Sequence, residues 1–226
     1  MESRNFALTA VRFGVSKEET TMTKKIADLK PGTRFIYGRK NCMALDHLEQ
    51  GTLCMAMDSV KCKFGQNNNY AESELKEYLN EWYLDDWLND GAFITDFVEM
   101  EVDLTANDGL DDYGKCRCFL APRTCDQHRK YRKLIPNPDG VEWTVTAYST
   151  ESNGHSYSAC PVTASGDLYY YSKGASHAYG VRPFFILNPS VLLDVPVVEH
   201  TLKPGQILSV NDIQYIVDEN GILRRV

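Results

Sequence analysis

The segment Trp143-Thr-Val-Thr-Ala-Tyr-Ser-Thr-Glu-Ser-Asn-Gly-His-Ser-Tyr157 opens a stretch of unusual composition, which closes on Gly180-Val-Arg-Pro-Phe-Phe-Ile-Leu187. Between its two ends lie six of the chain's thirteen Tyr and seven of its thirteen Ser, whereas Lys and Glu occur once each and Met and Gln are absent. Tyr supplies large, rigid contact area at low entropic cost, and Ser, Gly and Asn supply adaptable hydrogen bonding. This composition predicts a recognition surface held between two framed ends.

The window 148–179 carries the candidate ligand contacts. Of the three consecutive Tyr residues 169–171, at least one is expected to be exposed, because alternate side chains of a strand face opposite ways. A set of exposed aromatic strands without a ligand is the alternative interpretation. The predicted ligand contacts are Tyr148, Ser149, Ser152, Asn153, His155, Tyr157, Tyr169, Tyr171, Ser176, His177 and Tyr179.

The two ends of this stretch are predicted to be structural. Trp143 is interpreted as scaffold, and Arg182 lies in the apolar run 181–187. A buried Arg must be paired, so Arg182 is expected to form a structural ion pair, with direct ligand contact as the alternative.

Composition and charge exclude several classes of function. The 226 residues suffice for one sizeable domain, and the net charge of −7 argues against a nucleic-acid partner. The basic run 129–133 is interpreted as the solvated face of a short helix. No apolar run reaches the length of a membrane span and no signal peptide is evident, so membrane insertion is not expected. Seven irregularly spaced Cys indicate reduced thiols and cytosolic synthesis.

The chain is predicted to contain an N-terminal arm or linker (1–24), one α+β domain (25–195) and a small C-terminal β appendage (196–226). Apolar runs around Glu49-Gln-Gly51 predict a hairpin, and the alternation in 97–104 predicts a strand. A helix is expected to begin after Ser73, and a capping box formed by Thr124 and Gln127 to open a second. The predicted core stripe of the first helix consists of Leu75, Tyr78, Leu79, Trp82 and Leu88.

No catalytic, cofactor or metal site is predicted. Nucleophile-elbow, phosphate-loop, dinucleotide and His-Glu-x-x-His motifs are absent from the sequence. Cys116, Cys118, Cys125 and His128 lack usual zinc spacing, and the acidic loop 107–112 lacks a twelve-residue calcium loop. The protein is therefore not expected to be an enzyme.

Several blocks resemble, in the same order, an uncharacterised family found in phages, prophages and gut Firmicutes. The blocks are Asn69-Tyr-Ala-Glu-Ser-Glu-Leu-Lys-Glu-Tyr-Leu-Asn80, Phe119-Leu-Ala-Pro122, Tyr131-Arg-Lys-Leu-Ile-Pro136, Trp143-Thr-Val-Thr-Ala147 and Gly180-Val-Arg-Pro183. The resemblance covers roughly residues 30–190. One departure lies at Glu142-Trp-Thr-Val-Thr146, where many members have two or three Trp followed by Leu-Arg.

The closing Gly-Val-Arg strand is similar to that of the C-type-lectin-like, formylglycine-generating-enzyme-type fold. This fold also carries the variable proteins of diversity-generating retroelements, whose hypervariable positions precede that strand. Adenine mutation of AAY codons cannot yield Lys, Glu, Gln, Met or Trp. The composition of 148–179 fits this bias, with Glu151 and Lys173 as expected fixed positions.

The resemblance implies a C-type-lectin-like domain with short antiparallel strands and two helices. It implies a non-catalytic protein displayed on a phage or prophage particle, located on the virion or bacterial surface after cytosolic synthesis. Its expected partners are a host-surface protein or glycan receptor, other virion proteins and further copies of itself, with a trimer as the candidate homo-oligomer. Diversification by a retroelement is a hypothesis that the composition favours.

Two alternatives remain open at this point. One is a structural virion protein, such as a capsid decoration or a tail-assembly piece. The other is an enzyme of the formylglycine-generating type, which uses a pair of Cys near its C-terminal end. Only Cys160 lies in the corresponding region of this sequence.

Overall fold

The computed structural model describes residues 21–169, 173–196, 205, 207–210, 213–217 and 223–225. The chain divides into two compact units, Met22–Val195 and a second unit that combines Met1–Thr21 with Pro196–Val226. The fold is α+β, with mostly antiparallel strands and two helical regions, as the sequence predicts. Within the described part of the chain, no helix combines the length and the apolar character needed to cross a membrane.

The described strands are mostly short. In the first half of the chain they are β1 Thr21–Lys25, β2 Arg34–Tyr37, β3 Lys40–Leu48, β4 Gly51–Ala56, β5 Val60–Lys63, β6 Phe97–Val98, β7 Met100–Asp103 and β8 Lys115–Cys118. In the second half they are β9 Ser158–Ala159, β10 Lys173–Gly174, β11 Ala178–Val181, β12 Phe184–Leu187, β13 Leu192–Pro196, β14 Ile207–Val210, β15 Ile213–Val217 and β16 Leu223–Arg225.

The largest sheet has five strands in the order β2-β3-β4-β12-β6, with every neighbouring pair antiparallel. The hairpin predicted around Glu49-Gln-Gly51 is confirmed as β3 and β4. All residues of β4 and β12 are buried, including the run Phe184–Leu187. A strand that is covered on both faces has a continuous apolar sequence. These two strands form the centre of the core.

Two strand predictions require correction. The predicted strand 97–104 is divided, because β6 pairs with β12 whereas β7 pairs with β8 in a separate sheet. The apolar run 181–187 is divided as well: β11 pairs with β5, and β12 with β4. Pro183 lies between those two strands and lacks the N–H that a ladder requires.

The first helical region begins at the predicted cap. The Ser73 hydroxyl accepts a hydrogen bond from the Lys76 N–H at 3.0 Å. The helix then runs as α1 Glu74–Glu77, a π-helical segment Tyr78–Tyr83 and α2 Leu84–Asn89.

The π-helical segment changes which face of this helix is buried. Trp82, predicted to be core, is 69% exposed, whereas Tyr83 and Trp87 are buried together with Leu75 and Leu79. At 3.6 residues per turn, the twelve steps from Leu75 to Trp87 would complete about 3.3 turns. The two side chains would then lie on different faces of the helix. The wider π turns remove that offset, so the buried stripe follows a spacing of four residues.

The second helix, α3 Cys125–Tyr131, carries the predicted capping box. The Thr124 hydroxyl accepts from the Gln127 N–H, and the Gln127 side chain accepts from the Thr124 N–H. The helix ends at Tyr131. The basic run 129–133 is exposed apart from the buried Tyr131, as expected for the solvated face of a short helix.

The two ends of the larger unit meet. The predicted N-terminal arm or linker, 1–24, ends in regular structure, because its described part lies in β1, which pairs with β13. The Ile26 N–H also donates to the Val191 carbonyl at 2.8 Å. Pairing with a distant strand supplies these hydrogen bonds, and nothing in the local composition signals it. Residues 1–20 of the predicted arm lie outside the described residues.

The described part of the predicted C-terminal appendage is a three-stranded antiparallel sheet in the order β14-β15-β16.

Asn80 joins the first helical region to the end of β8. Its amide nitrogen donates to the carbonyls of Lys76 and Leu120, at 3.0 and 2.8 Å. Its side-chain oxygen accepts the N–H groups of Phe119 and Leu120, both at 2.9 Å. One half-buried side chain thus satisfies backbone groups of a helix and of the chain beyond a strand.

We expect Asn80→Ala to lower the free energy of unfolding by about 2–3 kcal/mol, because it leaves several backbone groups without partners. Urea denaturation measures the change. Asn89→Ala, an exposed substitution in the same helical region, is the control and should remain within about 0.5 kcal/mol of the parent. Equal effects of the two substitutions would contradict this role for Asn80.

Candidate functional site

Most predicted ligand contacts lie at the surface of the larger unit. Tyr179 is half-buried, Ser149 is buried, and Tyr171 lies outside the described residues. Tyr169 is exposed, which confirms that at least one of the three consecutive Tyr faces solvent. The exposed contacts are Tyr148, Ser152, Asn153, His155, Tyr157, Tyr169, Ser176 and His177.

The segment 148–158 forms a closed loop with its own internal hydrogen bonds. The Tyr148 N–H donates to the Ser158 carbonyl at 2.7 Å and closes the base of the loop. A short 3-10 turn, Glu151–Asn153, ends at Gly154, whose φ of 76° lies in the left-handed region that glycine adopts without strain. The loop therefore has a defined backbone path and presents its side chains outward.

Asn68 anchors this loop from inside the protein. Its side-chain nitrogen lies within 2.8–2.9 Å of three carbonyl oxygens, those of Ser149, His155 and Ser158. The Asn68 backbone N–H donates to the Ser156 carbonyl at 2.8 Å. Because every one of these acceptors is a backbone carbonyl, the Asn68 contacts do not depend on which side chains the loop carries.

Tyr113 and Asp112 complete the anchor. The Tyr113 hydroxyl donates to the Asn68 side-chain oxygen at 2.7 Å and accepts the Glu151 N–H at 3.1 Å. The Asp112 carboxylate accepts hydrogen bonds from the hydroxyls of Thr150 and Ser152. These two hydroxyls lower the pKa of Asp112, so the carboxylate remains charged at neutral pH. We refer to Asn68, Asp112 and Tyr113 as the loop anchor.

Ser149 belongs to this internal frame and not to the outer surface. It is 1% exposed, and its hydroxyl accepts a hydrogen bond from the Asn153 side chain at 3.2 Å. The neighbouring Tyr148 is exposed, whereas Ser149 and Thr150 are both enclosed. The prediction that Ser149 is a ligand contact is corrected accordingly.

Aromatic side chains of the window are arranged in two groups. Tyr148 and His155 meet edge to face, with ring centroids 5.7 Å apart. His177 stacks on Tyr179 at 5.7 Å, and Tyr179 packs on Trp143 at 4.7 Å. Such contacts fix the orientation of rings that would otherwise lose rotamer freedom on binding.

A backbone hydrogen bond joins the loop to Ala175, which lies two positions before His177. The Ala175 N–H donates to the Tyr157 carbonyl at 2.8 Å, and the Ala175 carbonyl accepts the N–H groups of Phe64 and Gly65. A groove of about 500 Å³ lies beside Tyr179 and is also lined by Ser59, Lys61 and Asp139.

A buried ionic cluster holds the two ends of the window together. The Glu142 carboxylate accepts from Arg123 at 3.0 Å and from Arg182 at 2.8 Å. All three side chains are at most 5% exposed. Burial lowers the pKa of Arg123, and the nearby Glu142 charge opposes that shift. The ion pair expected for Arg182 is present, so this guanidinium faces the interior.

The backbone around Glu142 is tied to the same elements. Glu142 exchanges two backbone hydrogen bonds with Val162, both at 2.8 Å, and the Trp143 N–H donates to the Gly180 carbonyl at 2.9 Å. A side chain at Gly180 would meet the Ser59 hydroxyl at 2.5 Å and the Glu142 side chain at 3.2 Å. Glycine is therefore required where these two segments approach each other.

Trp143 lies in the scaffold, as the sequence predicts. It is buried, packs edge to face against Phe64 at 5.4 Å and donates its indole N–H to the Cys62 carbonyl at 3.0 Å.

No local sequence pattern predicts the roles of the loop anchor, Arg123 and Glu142. Asn68 lies in a polar run, 66–70, that is typical of a loop, and its neighbours Asn67 and Asn69 give no sign that only one of the three is buried. In the sequence, Glu142 stands out only because the block it begins departs from the pattern of the resembled family. Among the described residues, no cluster of three or more His, Cys, Asp or Glu has the arrangement of a metal site.

We expect Asn68→Ala to reduce the free energy of unfolding by about 2–4 kcal/mol, because it leaves buried carbonyls of the loop unsatisfied. Hydrogen exchange at the amides of Gly154 and His155 should accelerate more than exchange in β4. The control is the neighbouring Asn67→Ala, which removes one local hydrogen bond and should cost less than about 1 kcal/mol. Unchanged exchange at Gly154 and His155 would contradict the anchor.

We expect Glu142→Gln to cost about 3–5 kcal/mol, because two buried guanidinium groups lose their counter-charge. The change is measured by chemical denaturation at neutral pH. Glu49→Gln alters an exposed carboxylate in the β3–β4 turn and should stay within about 0.5 kcal/mol of the parent. A Glu142→Gln protein as stable as this control would show that the cluster does not stabilise the fold.

No protein-family model, no curated protein and no solved structure matches this chain.

Proposed function

We propose that this chain is a non-catalytic recognition protein that binds its ligand through the exposed side chains of the window 148–179. One observation carries the proposal: the loop 148–158 displays aromatic and polar side chains while its backbone is held from inside. Tyr157 is 67% exposed, and Tyr148 and Tyr169 are 36% and 39% exposed. Exposed Tyr residues on a fixed backbone are typical of protein recognition surfaces.

The internal anchoring reduces the cost of binding. A loop that is ordered only in the complex loses conformational entropy at that moment, and this loss weakens affinity. Here Asn68, Asp112 and Tyr113 fix the loop before any ligand arrives. The aromatic contacts of Tyr148 with His155 and of His177 with Tyr179 restrict those rings in the same way.

The proposed ligand is a host-surface protein or glycan, and the proposed location is the surface of a phage or prophage particle or of a bacterium. The resemblance of the blocks from Asn69 to Pro183 supports this assignment. Tyr, His and Ser side chains beside a groove suit either ligand, because aromatic faces pack on sugars and side chains while hydroxyls fix orientation.

We further propose that the larger unit has a C-type-lectin-like architecture. Two observations support it: β1 pairs with β13, and a long stretch with few strands separates β8 from β11. A homo-oligomer, with a trimer as the candidate state and other virion proteins as neighbours, would add avidity to weak single-site binding.

Diversification of the window by a retroelement is part of the same proposal. The Asn68 anchor contacts carbonyl oxygens of the loop, which every residue type carries. Side chains at exposed positions such as His155 and Tyr157 can therefore change without removing these hydrogen bonds.

The test replaces Tyr148, Tyr157 and Tyr169 together with Ala. We expect binding of the labelled protein to intact cells of a panel of gut Firmicutes to fall by about tenfold or more, since buried contacts of interface Tyr residues contribute about 1–2 kcal/mol each. The melting temperature should change little, because all three rings are exposed in the free protein.

The matched control is the double variant Trp82→Ala and Phe93→Ala, two aromatic side chains that are 69% and 66% exposed outside the window. This variant should bind cells like the parent. Loss of binding in the control but not in the Tyr variant would assign recognition to another surface. A parent protein that binds no cells but is incorporated into particles would favour the structural virion protein.

A further inference from the structure

Two of the seven cysteines lie side by side in the core of the larger unit. Cys125 begins α3, and Cys160 directly follows β9; both are at most 2% exposed. Each side chain is the largest influence on the pKa of the other. Cys160 is the one cysteine of the stretch 143–187, and folding brings Cys125, which precedes that stretch, close to it.

Two threonines of one extended segment hold both cysteines in place. The Thr144 hydroxyl lies 3.7 Å from the Cys125 sulfur and donates to the Cys160 carbonyl at 2.5 Å. Thr146 accepts the Cys125 N–H on its hydroxyl at 3.0 Å and the Cys160 N–H on its carbonyl at 2.9 Å. These four contacts hold the backbones of Cys125 and Cys160, and the Cys125 sulfur, against the same short segment.

A cavity of about 240 Å³ adjoins one of the two cysteines. Its lining includes Cys125, Thr146, Asn107, Asp126 and Arg129, whereas Cys160 does not line it. The Arg129 guanidinium is held by Asp126 at 2.5 Å and by Asn107 at 3.3 Å. This cavity is large enough for a small polar reagent, and its wall carries a cation that favours an anion at Cys125.

The surroundings of Cys125 favour the thiolate form. The Cys160 thiol, as a hydrogen-bond donor, is the largest cause of a lowered pKa at Cys125, and the positive charge of Arg129 acts in the same direction. Burial of Cys125 opposes this shift. The interaction with Cys125 and the burial of the thiol raise the pKa of Cys160.

The other cysteines differ from Cys125. Burial raises the pKa of Cys42, Cys54, Cys62 and Cys118. Cys62 is the one cysteine that is not fully buried. The most exposed thiol, Cys62, therefore differs from the thiol with the lowered pKa, Cys125.

We propose that Cys125 and Cys160 form a redox-active dithiol that is oxidised by a small hydroperoxide entering the cavity beside Cys125. The Cys125 thiolate attacks one peroxide oxygen, the O–O bond breaks, and the leaving hydroxide or alkoxide takes up a proton, leaving a sulfenic acid on Cys125. The Cys160 sulfur then attacks the Cys125 sulfur, the S–O bond breaks, and the Cys160 proton leaves with the hydroxide as water. The peroxide gains the two electrons that the thiols lose, and an external dithiol reverses the oxidation.

The first experiment treats the reduced full-length protein with stoichiometric hydrogen peroxide, then alkylates the remaining thiols after denaturation. We expect the count of free thiols to fall from seven to five, with a peptide cross-link between Cys125 and Cys160 and full reversal by dithiothreitol. Oxidation confined to Cys62, or a cross-link between any other pair, would overturn the proposal.

Two variants separate the roles of the thiols. Cys160→Ser should stop the reaction at a sulfenic acid on Cys125 that dimedone traps, and Cys125→Ser should abolish both the adduct and the cross-link. Dimedone labelling of Cys160 in the Cys125→Ser variant at the rate seen for Cys125 would contradict the assignment of Cys125 as the attacking thiolate.

A measurement on the parent protein keeps the test independent of how the variants fold. The rate of iodoacetamide modification at Cys125 should reach its plateau at a lower pH than the rate at Cys62, although Cys62 is the more exposed thiol. The reverse order of the two pH profiles would overturn the thiolate assignment.

Discussion

The buried carboxylate of Glu142 is the constraint on which the rest of the larger unit depends. It accepts from two guanidinium groups, Arg123 before helix α3 and Arg182 between the last two strands of the core. Three segments that are far apart in sequence thereby meet at one carboxylate, and each guanidinium is paired only when its segment is correctly placed. The second bond of Arg182, to the Pro136 carbonyl at 3.0 Å, adds a fourth segment. Because an unpaired buried charge costs several kcal/mol, alternative packings that separate these segments are disfavoured.

This arrangement explains how an irregular window can be part of a stable fold. The cluster fixes the beginning of the window at Glu142 and Trp143 and its end at Gly180 and Arg182. Asn68 then supplies the interior anchor for the loop. Its contacts are to carbonyl oxygens, so fold stability and surface chemistry are assigned to different atoms of the same residues. Such a separation allows a recognition surface to differ without a corresponding loss of stability.

Local signals in the sequence predicted the local structure well. The Ser73 cap and the Thr124–Gln127 capping box each involve residues three positions apart, and both are present. The face of the first helix was predicted incorrectly at Trp82, because a π-helical segment is not encoded in a pattern of period 3.6. Asn68 and Glu142 were missed for a different reason. The Asn68 bond to Ser158 spans 90 positions and the Glu142 bond to Arg182 spans 40, so their roles exist only after the chain has folded. Exposure of the window followed from its composition, but the burial of Ser149 within it did not.

The distinction between backbone and side-chain anchoring also limits which window positions are free to vary. Thr150 and Ser152 reach Asp112 through their hydroxyls, so only residues that can donate at those positions preserve the contact. The side chains of His155 and Tyr157 are not needed for such contacts. Asn68 donates to the carbonyl of His155, and the Ala175 N–H donates to the carbonyl of Tyr157. At Ser149 the side chain is enclosed, and a larger residue would need space that the loop does not provide. The loop therefore combines side chains that the fold constrains, at 149, 150 and 152, with side chains that it does not, at 155 and 157.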